Sequence, residues 1–235
     1  YTLVQPPLMM NREAYEGVTD LSDFETVMYG IEPDGYYLIA TSEHPLTAMR
    51  MDEVIEPSEL PVKLVGVSPC FRREVGAHGL SDRGIWRVHQ FTKIEQIVIC
   101  HPDDSWEHHE ELLQNAVDLW DSLGLHYRVV NICTGDMGTV AAKKYDLEAW
   151  LPGAGSYKEV VSCSNCTDYQ ANRLRMRYRT KEGNESVHTL NSTAVATSRA
   201  LVAIMEQNQL KDGRVRVPEV LRPYMGEKEI LESLK

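Results

Sequence analysis

At 235 residues, with 43% hydrophobic and 25% charged side chains, the chain can bury a sizeable core as one large domain or two small ones. Its formal net charge of -11 argues against general nucleic-acid binding, so a polyanionic partner would need a local basic patch or a further segment. No run of about 18 apolar residues is available for a transmembrane helix, and five irregularly spaced cysteines suit a reducing, cytoplasmic setting better than a disulfide scaffold.

Residues 1–10 read as a strand ending at Pro6-Pro7. The start at Tyr1, without a signal peptide, reads as a cut boundary. Residues 36–40 and 62–67 are apolar, strand-like runs. Two further strands follow, ending and beginning in Cys70-Phe71-Arg72-Arg73-Glu74 and Arg83-Gly84-Ile85-Trp86-Arg87-Val88-His89-Gln90-Phe91-Thr92-Lys93-Ile94-Glu95, joined by a polar loop over 75–83. Alternation along a strand puts Arg72 and Glu74 on one face, and likewise Arg87, Phe91 and Glu95. Such charges are expensive to bury unpartnered. Cations, a ring and carboxylates on one face suit a ligand with phosphate, a flat base and an ammonium group.

Residues 103–123 form the clearest amphipathic helix, with Leu112, Leu113, Ala116, Val117, Trp120 and Leu123 on one face and Gly124 closing the end. His108 and His109, beside Glu107 and Glu110, are expected on its solvated side. Residues 127–132 and 159–163 read as strands. Cys163-Ser164-Asn165-Cys166 has metal-ligand spacing but no second pair nearby, and structural thiols are expected. Alternating Arg173, Arg175 and Arg177 suggest a strand over 170–178 with an anion-facing side, and residues 193–209 have helical spacing. No repeat or linker interrupts the chain, so residues 1–235 are expected to form a single domain. Consecutive strands with little βαβ alternation predict an α+β fold, an antiparallel β-sheet flanked by helices.

The stretch around Arg72 and Phe91 resembles motif 2 of the class II aminoacyl-tRNA synthetases, most closely the seryl-tRNA synthetases. Thr41-Ser42-Glu43-His44-Pro45-Leu46-Thr47 resembles their threonine-x-glutamate serine-binding loop. Leu190-Asn191-Ser192-Thr193-Ala194-Val195-Ala196-Thr197-Ser198-Arg199 resembles motif 3, and Asp212-Gly213-Arg214-Val215-Arg216-Val217-Pro218 with Pro223-Tyr224-Met225-Gly226 resembles the C-terminal signature. Four matches in the family's order, from Tyr1 to about Ile230, are far more specific than any one.

The resemblance implies a catalytic fold on a six- or seven-stranded antiparallel sheet and the activity of a serine–tRNA ligase, using ATP and magnesium. Arg72 would bridge the serine carboxylate and the α-phosphate, and Arg199 would hold the γ-phosphate; Arg83 and Arg87 are further phosphate candidates. An arginine fork suits such anions because it binds them in pairs and stays charged. The serine pocket would draw on Thr41, Ser42, Glu43, Arg72, Glu95 and Thr193. ATP would meet Arg72, Arg73, Glu74, Val88, Phe91, Glu159, Val160, Val161, Ser162 and Arg199, with Phe91 stacking on adenine and Glu159 and Ser162 holding magnesium through the nucleotide. Arg73 stands where many relatives carry a small residue. The family further implies a homodimer through the element ending near Pro7. The N-terminal helical arm that grips tRNA-Ser is expected to be absent, leaving the acceptor end as the main tRNA contact. A copy that has lost catalysis and an enzyme that charges a carrier protein are the competing readings.

Overall fold

The computed structural model describes residues 1–75 and 84–232. Arg83 and the expected loop beyond Val75 lie outside the described residues. The main elements in chain order are β1 (Thr2–Val4), α1 (Arg12–Val18), α2 (Glu43–Ala48), β2 (Val62–Phe71), β3 (Gln90–Cys100), α3 (Ser105–Ser122), β4 (Tyr127–Asn131), β5 (Lys143–Leu151), β6 (Ser156–Asn165), α4 (Tyr169–Arg173), β7 (His188–Ala196) and α5 (Thr197–Gln207). Short ribbons and single helical turns connect them.

The seven strands form one sheet in the order β1-β2-β3-β7-β6-β5-β4. Every pairing is antiparallel except β1 with β2, a parallel edge pair that departs from the expected purely antiparallel sheet. The central strands β3 and β7 are covered on both faces, and their long buried stretches reflect this.

Helix α3 packs on one face. Its buried residues His109, Leu112, Ala116 and Trp120 recur at helical spacing. His109 is therefore not solvated as expected: its ring stacks on Tyr145, and Nε2 lies 3.1 Å from the Cys163 carbonyl oxygen. Burial holds its pKa below the ordinary value, which favours a neutral imidazole. Only His108 behaves as a boundary residue, with Nδ1 3.1 Å from Glu111. Trp120 and Ala116 join Leu147, Ala149, Val161 and Ala203 in one apolar cluster. A second cluster, built from Tyr15, Val18, Ile39, Leu174 and Met176, closes the end formed by α1 and α4.

The expected arginine strand over 170–178 is absent. Residues Tyr169–Arg173 are helical, Arg175 adopts a left-handed φ of 57°, and only Arg177–Arg179 is extended. Arg173 lies over the Tyr169 ring, Arg175 pairs with Asp52 and Glu13, and Arg177 donates to the carbonyls of Ala171 and Met176. These side chains go to separate local partners instead of forming an anion-facing stripe. Helix α5 begins at Thr197, not 193, because residues up to Ala196 remain in β7.

Candidate active site

The face of the sheet opposite α3 carries a cleft of about 370 Å³. Alternation on β3 turns Phe91, Lys93 and Glu95 into it, and the neighbouring β7 adds Asn191 and Thr193, with Thr193 directly opposite Glu95. From β6 come Ser162, Ser164 and Glu159. A bulge between Glu159 and Val161 shifts the alternation and brings Glu159 onto the face of the even-numbered serines.

One end of the cleft is an enclosed polar pocket. Thr41 and Glu43 enter it from the start of α2, which lies over β2 where Gly66 leaves room. A Cβ on Gly66 would stand 2.7 Å from Ser42 Oγ and Leu46 Cδ1. Glu43 Oε1 accepts hydrogen bonds from Gln170 Nε2 and Asn191 Nδ2, both at 3.0 Å. Burial, then the neighbouring Glu95, pushes the Glu43 carboxyl up to about 7; Lys93, Gln170 and Arg72 pull it back down. Glu95 forms a 2.7 Å ion pair with Lys93, with side chains only 2% and 8% exposed. His44 makes edge contacts with Tyr15 and Phe24; burial foremost, then Lys93 and Arg72, push it down to about 3, so it stays neutral. The pocket thus holds two carboxylates and one lysine, an arrangement that a ligand ammonium would complete.

The other end is cationic and aromatic. Arg72 emerges just beyond β2, its backbone N–H bonded to the His89 carbonyl and Nε reaching the Ala40 carbonyl at 3.3 Å. Its guanidinium carbon lies 5.4 Å from the centroid of Phe91. Arg199, on the first turn of α5, donates to the Glu159 carbonyl at 2.9 Å and lies 3.4 Å from Glu159 Oε1. Arg87 and Glu74 pair at 2.6 Å. Both residues lie outside regular strands, so the expected strand alternation around them does not hold: β2 ends at Phe71, β3 begins at Gln90, and Glu74 has φ 51°.

The cleft brings together Thr41, Glu43, Arg72, Glu74, Val88, Phe91, Glu95, Glu159, Val160, Ser162, Thr193 and Arg199. Four expected residues do not line it, among them Arg87, which pairs with Glu74. Ser42 is buried behind the pocket against Gly66. Arg73 is exposed, its backbone N–H tied to the Val27 carbonyl. Val161 points into the apolar cluster.

The sequence reading missed Lys93, although it shares the period of Phe91 and Glu95. It also left β5 unassigned, where alternating Lys144, Asp146 and Glu148 are the legible signal. Asp146 faces Ser162 across the strand pair, and burial, then Glu159, pushes its carboxyl up to about 6. Gln170 had no local signal, because only the packing of α4 brings it to Glu43. Cys163 and Cys166 are buried free thiols; burial pushes Cys163 up to about 12 and Cys166 well above its ordinary value. No group of three or more His, Cys, Asp or Glu side chains suited to a metal gathers among the described residues. None of the described helices is long and apolar enough to cross a membrane.

Residues 28–208 match the family model for the tRNA synthetase class II core domain (G, H, P, S and T). A serine–tRNA ligase of Methanospirillum hungatei is 64% identical over 234 residues, spanning 98% of this chain and 55% of that protein. The seryl-tRNA synthetase of Pyrococcus horikoshii, solved with ATP, superposes with a TM-score of 0.96 at 53% identity, covering 100% of this chain and 53% of that one. The cytoplasmic enzyme of Naegleria fowleri, solved with AMP, has a TM-score of 0.93 at 47% identity, covering 100% and 56%. The chain spans about half the length of the relatives it matches.

Proposed function

The chain belongs to the family of class II tRNA synthetase core domains, and from that premise we propose that it is the catalytic portion of a serine–tRNA ligase. It activates L-serine with ATP to seryl-adenylate and passes the seryl group to tRNA-Ser. The observation that carries this reading is the two-ended cleft, with a polar pocket for an amino acid at one end and arginines with an aromatic ring at the other.

A serine carboxylate oxygen attacks the α-phosphorus of ATP, the new P–O bond forms, and pyrophosphate leaves. Two anions have to meet, so the residues act by neutralising and positioning charge instead of moving protons. Arg72 stands between the two ends and bridges carboxylate and α-phosphate. Arg199 holds the far phosphate. Phe91 offers a face to adenine, and the ATP complex of the Pyrococcus relative supports ATP as the substrate. In the pocket, Glu43 and Glu95 take the ammonium, while Thr41 and Thr193 offer hydroxyls to the serine side chain. A buried polar pocket rejects alanine because its groups would be left unpaired.

Magnesium fits the phosphate end. Glu159 and Ser162 present hard oxygen ligands there, beside the buried carboxyl of Asp146. When bound, the ion supplies charge neutralisation to the phosphates.

The acceptor end of tRNA-Ser reaches the cleft mouth. With the expected arginine stripe dispersed and a net charge of -11, this chain alone binds tRNA weakly. Strand β1 lies at a sheet edge with Leu3 69% exposed, which supports a homodimer through that edge. Buried free thiols accord with a cytoplasmic setting.

The test is ATP–pyrophosphate exchange over a panel of amino acids, with seryl-tRNA formation measured alongside at low and moderate salt. Exchange should depend on serine and be small with alanine. Equal exchange with both amino acids would overturn the pocket assignment.

A further inference from the structure

Trp86 has no role in the chemistry above, yet it lines the cleft while being 7% exposed. It ends a single helical turn, Gly84–Trp86, whose first residue has a φ of 70° suited to glycine. It belongs to the same apolar cluster as Val160, Ala200 and Ala203. The Arg199 guanidinium carbon lies 5.3 Å from its centroid, within cation–π range.

Arg199 needs this support. Among the described residues its hydrogen bonds go to a single residue, Glu159, through the backbone carbonyl at 2.9 Å and the carboxylate at 3.4 Å. Burial foremost disfavours its charged form; Glu159 offsets part of this, and Arg72 and Arg87 add to it as like charges. A long side chain among like charges has every reason to turn away from the cleft. An indole face is an apolar wall with negative potential, so it can occupy the core and attract a guanidinium at once. An aliphatic residue would serve only as the wall.

We propose that Trp86 is a positioning residue for ATP, holding the Arg199 guanidinium towards the phosphate end of the cleft through its indole face. The proposal rests on the ATP-dependent reading above and deepens it, making the aromatic character of residue 86 a determinant of nucleotide affinity separate from serine affinity.

The experiment measures ATP and serine dissociation constants by calorimetry for this chain and for Trp86→Leu, Trp86→Phe, Arg199→Ala and the Trp86→Leu/Arg199→Ala pair, with folding checked by circular dichroism. Trp86→Leu should weaken ATP roughly three- to thirty-fold and leave serine within about two-fold. Trp86→Phe should recover most of that loss. In the Arg199→Ala background, Trp86→Leu should change ATP affinity by less than about two-fold, because the interaction has already been removed. An undiminished loss in that background, or equal losses for leucine and phenylalanine, would overturn the inference while leaving the function intact. Failure of the unaltered chain to bind ATP would instead overturn the function. Should Trp86→Leu not fold, Trp86→Phe against Trp86→Met gives the same ring-dependent comparison.

Discussion

Glutamine in place of Glu43 should remove a proton-linked step from amino-acid binding. Glu43 ordinarily titrates near 4.5 and is raised to about 7 in the folded chain, by burial first and by Glu95 second. The groups around it are Glu95 and Lys93 on β3, Arg72 beyond β2, Gln170 on α4, Asn191 on β7 and the buried Cys166 thiol. The folded state binds this proton more tightly than the unfolded one. Its contribution to stability is therefore complete below about pH 4.5 and lost as pH rises through 7. At roughly 1.4 kcal/mol for each pKa unit, the loss reaches about 3 kcal/mol, an upper figure for a group opening on the cleft. Serine brings an ammonium that takes the proton's place. Proton release on serine binding should be large below the raised pKa, at pH 6, and fade by pH 8. Calorimetry in phosphate and in Tris, whose ionisation heats differ, reads this release directly. Glu43→Gln should bind serine more weakly, release no proton, and lose the fall in urea stability between pH 5 and 8. An unaltered chain that binds serine at pH 6.5 with the same heat in both buffers would refute the reasoning.

Arg72→Ala should lower pyrophosphate exchange by roughly two to three orders of magnitude in a folded protein, as expected for loss of a transition-state charge clamp; near-normal exchange would move that role elsewhere. Lys93→Met leaves the 2%-exposed Glu95 side chain without its partner and should cost about 3–5 kcal/mol in urea unfolding at neutral pH. An unchanged midpoint would mean the ion pair does not form. Gly66→Ala drives a Cβ to within 2.7 Å of Ser42 Oγ and should cost about 1–3 kcal/mol. By shifting the Thr41–Glu43 segment, it should raise the KM for serine while the KM for ATP stays nearly constant, and equal rises in both would argue against this local effect.

Local pattern made much of the architecture legible. The helix over 105–122 declared itself through apolar residues at helical spacing, and the same spacing places His109 on its buried face, a signal outweighed by the acidic residues around it. The strands on either side of 76–83 were also visible, as was the pairing of Phe91 with Glu95 on one face. Period alone misled at Arg173, Arg175 and Arg177. Three residues two apart also fit a helix end, a left-handed turn and a short strand, and the Met176 N–H bond to the Ala171 carbonyl closes that turn. The bulge at Glu159 was invisible because register depends on the partner strand.

What the sequence by itself determined is the chemical inventory and its order. Glu43 lies beside Thr41, an arginine precedes the strand bearing Phe91 and Glu95, and another arginine opens a helix, because residue type and short-range spacing are properties of the chain alone. What only the tertiary structure decided is how those groups are charged and aimed. Gln170 reaches Glu43 across 127 positions of sequence, and Lys93 meets Glu95 in a nearly dry pocket. Trp86 meets Arg199 from a different element. Protonation and orientation depend on burial and on partners distant in the chain, and those exist only once the sheet has brought its strands together.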